Sequence, residues 1–213
     1  MSLQPGTYVA VEGAIGSGKT SLAKILAGEF QSRLVLEEAE PNPFLKDFYR
    51  DPRRYALQTQ LAFLLSRHRQ LCETRQTDIF NTSVISDYVF EKDRIFAALN
   101  LDEREFRLYS RVSALLEGEL PTPDLVVYMQ SSPERLLTNI RIRDFEYERS
   151  ITIEYLRELC EAYHQFFFNW DRSPLLILNT TRIDFVNNPD HRSALVKIIE
   201  RLPQGTTYFN PEA

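Results

Sequence analysis

A glycine-rich segment near the N-terminus constrains the fold of this chain more than any other feature. Residues 13–20, GAIGSGKT, match the pattern G-x-x-x-x-G-K-[ST] at every fixed position. An apolar run, YVAVE, enters the segment and a helix-forming stretch leaves it, which is the context that a phosphate-binding loop (P-loop) requires. The predicted donor-binding residues of this loop are Gly13, Ala14, Ile15, Gly16, Ser17, Gly18, Lys19 and Thr20.

Two side chains of this segment predict phosphoryl chemistry. The glycines allow the backbone amides to approach phosphate oxygens closely, and the positive end of the following helix adds to the attraction. Lys19 is predicted to contact the β- and γ-phosphates of a nucleoside triphosphate, and the Thr20 hydroxyl to bind Mg²⁺. A glycine-rich turn without a ligand is the alternative, and the complete motif between a strand and a helix argues against it.

Strand-length apolar runs alternate with stretches of helical spacing along the chain. The apolar runs are Tyr8–Glu12, Leu34–Glu37, Val84–Asp87, Leu125–Met129 and Leu175–Leu178. The helical stretches are Ser21–Phe30, Tyr55–Thr74, Asp102–Gly118, Pro133–Arg143 and Glu154–Phe168. Such alternation is typical of a parallel sheet covered on both faces. We predict a three-layer α/β P-loop kinase fold with a five-stranded parallel sheet, in a single domain over residues 1–213.

Composition excludes several functional classes. The formal net charge of −5 argues against a partner that is a nucleic acid polymer, because such a partner requires a basic face. The only two cysteines, Cys72 and Cys160, lie far apart in the sequence, so a disulfide framework is not expected and a reducing cytoplasm fits best. No apolar run approaches membrane-spanning length and the N-terminus does not resemble a signal peptide, so no membrane association is expected.

Acidic residues end two of the predicted strands, at the edge where ligands bind in open α/β sheets. Glu37 ends the second strand and is placed to accept a proton from an attacking hydroxyl. Asp87 ends the third strand and is placed to assist Thr20 in holding Mg²⁺. A solvated acidic turn is the alternative for either residue.

The chain resembles the deoxynucleoside kinase family, in particular its bacterial deoxyadenosine/deoxyguanosine kinase branch. The resemblance covers nearly the whole chain and rests on an ordered set of segments. They are GAIGSGKTS, LEEAEPNPFLKDFY, YALQTQLAFLLSRHRQL, SDYVFEKDRIFA, PDLVVYMQSSPERLL and RIRDFEYERSITIEYL. The resemblance implies transfer of the γ-phosphate of ATP, with Mg²⁺, to the 5′-hydroxyl of a deoxynucleoside, with a purine preferred. It also implies a homodimer.

The resemblance assigns roles around the acceptor sugar. Glu37 occupies the position of the general base, and Tyr49 and Glu148 occupy the positions that hold the 3′-hydroxyl. Asp87 matches the acid of an acid–arginine pair, but the next residue is Tyr88 rather than arginine. That departure leaves open which group contacts the phosphate near Asp87.

The resemblance also assigns roles around the acceptor base. Gln60 and Arg67 match the residues that contact the base edge, and Phe96 matches an aromatic that stacks on the base. A Gln amide has both a donor and an acceptor, which suits a purine edge. Without the resemblance, Tyr49 and Phe96 would be interpreted as core aromatics, and Gln60 and Arg67 as the polar face of a helix.

Residues 139–149 resemble the arginine-rich lid of the family, whose guanidinium groups neutralise charge on the transferring phosphoryl group. A gapless alignment places Arg143 on the first family arginine and Phe145 on the second, whereas a two-residue shift places Arg141 and Arg143 on the pair. Both arginines are therefore predicted to be catalytic. Asp184 and Phe185 lie in the loop that, by resemblance, covers the adenine of the donor.

Two other functions remain to be weighed. A nucleoside monophosphate kinase such as thymidylate kinase would need basic groups for the acceptor phosphate, whereas this chain has Glu37, Glu38 and Glu40 after the second strand. Arg50, Arg53 and Arg54 would offset these acids only if they pointed into the site. The other alternative is a regulatory module that binds a nucleotide without turnover, and an acid, lysine and lid together argue against it.

Overall fold

The computed structural model describes residues 2–37, 42–76, 82–118, 120–181 and 183–209. Its sheet has six strands in the order β2-β3-β1-β4-β5-β6, and every neighbouring pair is parallel. The strands are β1 (Tyr8–Gly13), β2 (Arg33–Val35), β3 (Val84–Ser86), β4 (Leu125–Gln130), β5 (Leu175–Asn179) and β6 (Thr206–Phe209). Glu37 and Asp87, the two acids predicted to end strands, lie just beyond β2 and β3. Their side chains therefore do not follow the alternation of side chains between the two faces of the sheet.

The prediction of five strands was wrong by one. The missed strand, β6, has the sequence TTYF and lies at the edge of the sheet beside β5. This strand pairs with one neighbouring strand only, and one of its two faces is covered. Its residues are therefore exposed or half-buried. An edge strand of this kind needs no unbroken apolar run. Apolar runs were the signal that predicted the other five strands.

Eight α-helices occur in the described residues. They are α1 (Lys19–Phe30), α2 (Leu45–Arg50), α3 (Pro52–Gln76), α4 (Asp93–Asn100), α5 (Glu103–Glu117), α6 (Pro133–Arg143), α7 (Ile153–Phe168) and α8 (Pro189–Glu200). Short 3-10 helices lie at Phe90–Lys92 and Glu146–Glu148. The five predicted helices correspond to α1, α3, α5, α6 and α7. Within the described ranges, no helix is long and apolar enough to cross a membrane.

Local sequence explains where several helices begin. Asp102 accepts hydrogen bonds from the backbone of Arg104 and Glu105, and the Glu105 side chain accepts one from the Asp102 backbone, which forms a capping box before α5. Ser132 caps α6, whose first residue is Pro133. Asn188 and Pro189 give α8 the same kind of start, so the cap signal for this unpredicted helix was present in the sequence.

The two faces of the sheet bury two separate clusters of side chains. On one face, Val9 and Val11 of β1 pack with residues of α1 and α8. On the other face, Tyr8 and Ala10 pack with residues of α3 to α7. This alternation along a strand covered by helices on both sides produces the three layers. The predicted α/β P-loop kinase architecture is confirmed, apart from the strand number.

Neighbouring leucines of α3 differ in burial. Leu64 and Leu71 are fully buried, whereas Leu65 is 55% exposed. Position 65 follows 64 by about 100° around a helix, so the two side chains leave the axis in different directions.

Candidate active site

The P-loop between β1 and α1 depends on glycine at three places. Gly16 and Gly18 have positive φ angles of 83° and 89°, a region that glycine adopts without strain. A Cβ atom on Gly13 would lie 2.7 Å from the Ser17 hydroxyl and 2.9 Å from the Met129 carbonyl oxygen. The Asn139 amide from α6 donates to the Gly16 carbonyl at 2.8 Å, so α6 holds the loop from outside.

Thr20, Asp87 and Glu37 form a hydrogen-bonded chain beside this loop. The Thr20 hydroxyl donates to Asp87 Oδ2 at 2.6 Å. The other carboxylate oxygen of Asp87 accepts the backbone N–H of Glu37 at 2.7 Å. Asp87 therefore connects the start of α1 to the end of β2, and the predicted metal-binding pair is adjacent.

The Glu37 carboxylate is held by two cations, one on each oxygen. Arg67 donates from Nε to Oε1 at 2.8 Å and also contacts this oxygen through Nη2. Lys92 donates from Nζ to Oε2 at 2.8 Å. Burial raises the pKa of Glu37, but the charges of Arg67, Lys92 and Lys19 outweigh burial and hold the pKa below its usual range. Glu37 is therefore ionised at neutral pH.

Arg67 belongs to a buried network that extends beyond Glu37. Its guanidinium also contacts Asp93, the first residue of α4, and the other Asp93 oxygen accepts the Tyr109 hydroxyl at 3.2 Å. The guanidinium of Arg67 stacks over the Phe63 ring, 4.9 Å from its centroid. These contacts fix the guanidinium in one orientation, whereas its predicted contact with an acceptor base stays a prediction.

A cavity of about 880 Å³ brings most of the predicted residues together. The predicted residues that line it are Ile15, Gly16, Ser17, Gly18, Lys19, Thr20, Glu37, Tyr49, Gln60, Arg67, Asp87, Phe96, Arg143, Glu148, Asp184 and Phe185. Gly13 and Ala14, the first two residues of the loop, are buried, and Arg141 is exposed on α6. These three residues do not line the cavity, and their predicted roles have no support from its lining.

Two residues on the acceptor side have notable surroundings. Gln60 is 4% exposed, and its Oε1 atom has no hydrogen-bond partner among the described residues. A buried acceptor without a partner costs stability, so this atom is available to a donor group on a ligand. Phe96 is half-buried and packs edge-on against Tyr163 with 6.2 Å between the ring centroids.

The segment between α6 and α7 joins a lid arginine to the predicted sugar site. Arg143 donates two hydrogen bonds to Glu148 and lies over the Phe145 ring at 4.9 Å. Both Arg143 and Phe145 line the cavity.

The loop after β5 closes another side of the cavity. The exposed Asp184 carboxylate accepts the backbone N–H groups of Val186 and Asn187, and these bonds shape the turn. Phe185 is buried, and a Cβ on Gly18 would lie 3.5 Å from its ring.

Sequence reasoning missed three residues of this site. Lys92 and Asp93 are adjacent, buried and bonded to Glu37 and Arg67. Their signal was a run of four charged residues, Glu91–Arg94, between apolar residues in the stretch FEKDRIFAA. Asn139 was treated as the start of the lid, whereas it lines the cavity and supports the P-loop.

The residue that follows Asp87 does not line the cavity. Tyr88 is fully buried, and its hydroxyl donates to the Gln70 side chain on α3 at 3.0 Å. The position that resemblance gives to an arginine is therefore part of the packing between β3 and α3.

The donor atoms at this site fit Mg²⁺. The Thr20 hydroxyl and the Asp87 carboxylate are oxygen ligands, which this cation prefers, and protein sites for it commonly use one or two carboxylates together with substrate phosphates. In the described part of the chain, no cluster of three or more His, Cys, Asp or Glu side chains could hold a metal ion by itself.

The fold and the loop define a class of protein. A parallel sheet whose first strand leads into a glycine-rich loop, with Lys19 and the Thr20–Asp87 pair beside one cavity, is the architecture of a P-loop kinase.

Comparison with known proteins places the chain within that class. The family model for deoxynucleoside kinases matches residues 9–203. A deoxyadenosine kinase of Dictyostelium discoideum is 32% identical over 196 residues, covering 90% of this chain and 78% of the relative. A deoxyguanosine kinase of Bacillus subtilis is 35% identical over 159 residues, covering 73% of this chain and 76% of the relative. The chain belongs to the deoxynucleoside kinase family.

A solved structure agrees on the fold. The deoxyadenosine kinase from M. mycoides with bound dATP superposes with a TM-score of 0.77 over 92% of this chain and 99% of that chain, at 21% identity. The match extends over almost all of both chains, so the three-layer arrangement is common to them.

Proposed function

We propose that this kinase transfers the γ-phosphate of ATP, with Mg²⁺, to the 5′-hydroxyl of a purine deoxynucleoside. The observation that carries the proposal is that the P-loop, Glu37 and Gln60 line one cavity. The donor end, the proton acceptor and a group suited to a base edge thus face a common space. The two relatives described above are named for deoxyadenosine and deoxyguanosine, which supports a purine acceptor.

The charges around Glu37 favour a neutral acceptor. The buried acceptor side contains two cations, Arg67 and Lys92, and two carboxylates, Glu37 and Asp93, which are paired with one another. While Glu37 is ionised the charges of this cluster balance, so the cluster has no net positive charge to attract an acceptor that already carries a phosphate. A nucleoside brings no charge, so it enters without disturbing this balance.

The arginines that could have supported a monophosphate lie elsewhere. Arg50, Arg53 and Arg54 are exposed and do not line the cavity. Arg50 is within 3.9 Å of Asp47, and Arg54 lies over the Tyr55 ring. This arrangement argues against the monophosphate-kinase alternative. Glu38 and Glu40, the other two acids weighed in that comparison, lie outside the described residues.

The buried amide of Gln60 supports a purine with an exocyclic amino group or ring N–H. Its unpaired Oε1 is an acceptor, and a ligand donor would satisfy it. Phe96, half-buried at the same cavity, offers an aromatic face for the base. Tyr49 and Glu148 complete the acceptor side as the proposed partners of the 3′-hydroxyl.

The transfer then proceeds as an in-line displacement. The 5′-oxygen forms a bond to the γ-phosphorus, and the bond from that phosphorus to the β–γ bridging oxygen breaks, leaving its electron pair on the ADP formed. The hydroxyl proton passes to the Glu37 carboxylate. Lys19 and the loop amides hold the donor phosphates, and Arg143, the lid arginine that lines the cavity, neutralises charge on the transferring group. Thr20 and Asp87 would hold Mg²⁺, which would supply positive charge against the donor phosphates.

A homodimer is part of the proposal. Helices α3 and α5 pack against each other, and each carries strongly exposed leucines, Leu65 on α3 and Leu108 and Leu115 on α5. Exposed apolar groups of this size favour burial against another protein surface. Light scattering should give about twice the 24.9 kDa of one chain, whereas a monomer mass would contradict the dimer.

A reducing cytoplasm suits Cys72 and Cys160, which are both free thiols.

A nucleoside panel tests the proposed function. Purified protein should convert ATP to ADP in the presence of deoxyadenosine or deoxyguanosine, with thymidine a poorer acceptor. The Lys19→Ala variant should bind ATP no more tightly than wild type does, and its turnover rate should be lower by a factor of roughly 10³. A protein that binds ATP but transfers phosphate to none of the deoxynucleosides would instead support the non-catalytic regulator.

A further inference from the structure

Lys92 is a buried ammonium at the reaction end of the cavity that no motif of the sequence singled out. It ends the 3-10 helix Phe90–Lys92, its side chain is 3% exposed, and it lines the cavity. The turn that carries it is anchored at the base of the P-loop, because Glu12 accepts the backbone N–H of Val89 at 3.0 Å and that of Gly13 at 2.8 Å. Lys92 is therefore positioned by the same buried carboxylate that supports the P-loop.

The ammonium of Lys92 has hydrogen-bonding capacity to spare. It carries three N–H donors, and the described residues provide one acceptor for them, Glu37 Oε2 at 2.8 Å. The other oxygen of Glu37 is already held by Arg67. A buried ammonium is costly unless its donors are satisfied, so the remaining donors indicate an acceptor that arrives with a ligand.

Charge must redistribute around Lys92 during transfer. When Glu37 takes the proton of the acceptor hydroxyl, its carboxylate becomes neutral and no longer balances the ammonium. At the same moment a phosphoryl group with anionic oxygens becomes bonded to the oxygen that Glu37 contacted. The Lys92 ammonium lies beside Glu37, so it is placed to exchange the Glu37 carboxylate for an oxygen of the phosphoryl group. Burial and then the charge of Lys92 lower the pKa of Lys19, as expected if the two ammonium groups flank the path between donor and acceptor.

The surroundings of Tyr88 leave this role to Lys92. The residue after Asp87 is the one where the family resemblance implies an arginine, and here Tyr88 is buried against α3 with its hydroxyl bonded to Gln70. Lys92 follows one short helix later and brings a cation to the cavity from the same connection between β3 and α4.

We propose that Lys92 is a further catalytic residue, whose ammonium binds the acceptor 5′-oxygen beside Glu37 during transfer and then holds the 5′-phosphate of the product. The proposal rests on the proposed function and deepens it. The bonds made and broken are those of the transfer already given, and Lys92 remains protonated throughout.

A lysine that only neutralised Glu37 would behave differently. Its loss would alter the position of Glu37 and the stability of the fold, and would affect the binding of nucleoside and nucleotide alike. A lysine that contacts the transferred group distinguishes a 5′-phosphate from a 5′-hydroxyl. The ratio of the two affinities therefore separates the two roles.

The experiment compares Lys92→Met with Lys92→Arg and with Lys197→Met, which removes the same charge from an exposed position of α8. Lys92→Met should lower kcat by a factor of roughly 10²–10³, as for loss of one preorganised donor in the transition state. It should weaken dAMP binding about tenfold or more while deoxyadenosine binding changes by less than about threefold. Lys92→Arg, which keeps the charge, should recover much of the lost kcat.

Two results would overturn the role of Lys92. One is a kcat for Lys92→Met equal to that of Lys197→Met, and the other is an equal loss of affinity for dAMP and deoxyadenosine. Wild-type protein that turned over no deoxynucleoside would overturn the proposed function instead, so the two failures are distinguishable.

A measurement on wild-type protein keeps the test independent of the variant's folding. In nitrogen-labelled protein, with the Lys92 ammonium resonance assigned through Lys92→Arg, dAMP should shift that resonance more than deoxyadenosine does. Equal shifts from the two ligands would contradict contact with the 5′-phosphate.

Discussion

The guanidinium of Arg143 donates to both carboxylate oxygens of Glu148, from Nε at 3.1 Å and from Nη2 at 2.5 Å. Glu148 is buried, whereas the Arg143 side chain is 40% exposed. Arg143 is a predicted lid arginine and Glu148 a predicted partner of the acceptor 3′-hydroxyl. This bidentate pair therefore connects the proposed site of the transferring phosphoryl group with the proposed site of the acceptor sugar. An arginine held this way is oriented before a ligand arrives.

The first prediction concerns Glu148→Gln. Loss of the carboxylate should remove the charged partner of the 3′-hydroxyl and lower kcat/KM for deoxyadenosine by roughly 10–100-fold, the range for a hydrogen bond to a charged group. The loss should be much smaller for 2′,3′-dideoxyadenosine, which has no 3′-hydroxyl, so the preference of the enzyme between the two substrates should narrow. Steady-state kinetics with both substrates measures this.

Glu146→Gln is the matched control, since Glu146 lies in the same 3-10 helix and is exposed. If Glu148→Gln lowers kcat/KM equally for both substrates, then Glu148 acts only through Arg143 or through the fold.

The second prediction concerns the proton acceptor. Glu37→Gln keeps the shape of the side chain but cannot take a proton, so kcat should fall by roughly 10²–10⁴ with little change in the Kd of the nucleoside. The control is Glu91→Gln, because Glu91 is also paired with an arginine, Arg172, but lies outside the cavity lining. A Glu37→Gln variant with the kcat of Glu91→Gln would remove Glu37 from the mechanism.

The third prediction follows from the direction of the Glu37 pKa, which the charges of Arg67, Lys92 and Lys19 hold below its usual range against the effect of burial. A carboxyl with a lowered pKa in the folded state contributes stability above its unfolded pKa, and this contribution is lost as the pH falls toward the folded value. The difference in unfolding free energy between wild type and Glu37→Gln should therefore be constant from pH 8 to about pH 5 and shrink below about pH 4.5.

The expected rate of that loss is about 1.4 kcal/mol per pH unit between the two pKa values. Urea unfolding of both proteins at pH 7, 4 and 3 measures it. A difference that stayed the same from pH 7 to pH 3 would mean that the cations do not stabilise the ionised form of Glu37.

The fourth prediction concerns base recognition. Gln60→Ala removes the buried acceptor that we assign to the base edge, so kcat/KM for the preferred purine should fall by an amount corresponding to about 1–3 kcal/mol. Poor substrates that never made the contact should lose less. Gln58→Ala is the matched control, because it removes the same type of side chain from an exposed position of α3 that does not line the cavity. A uniform loss for all nucleosides would show that Gln60 supports the fold only.

The sequence predicted the parts of the molecule that depend on local patterns. The P-loop motif, the five apolar strands and the capped start of α6 each lie within one short segment, and the structure agrees with them. Helix α2 has six residues and α4 has eight, too short for a clear periodic pattern. The edge strand β6 is only partly covered, so its composition does not distinguish it from a loop.

The charge network of the site could not be predicted in the same way. Glu37, Arg67 and Lys92 meet from three separate segments of the chain, and no spacing rule relates their positions. The end of a predicted strand indicated Glu37, and family resemblance supplied Arg67 because it compares whole chains. It did not supply Lys92, because the arginine implied by resemblance belongs at position 88, where Tyr88 is packed against α3.

The neutrality of the acceptor is the central claim, and one assay tests it most directly. Initial rates with Mg-ATP should be measured for deoxyadenosine, deoxyguanosine, dAMP and dGMP under the same conditions. The buried cations on the acceptor side are already paired with Glu37 and Asp93, and Arg50, Arg53 and Arg54 do not line the cavity. We therefore expect both nucleosides to be phosphorylated at least about a hundredfold faster than the monophosphates, which bind only as products. Faster phosphorylation of dAMP or dGMP than of the parent nucleosides would contradict this account and favour a nucleoside monophosphate kinase.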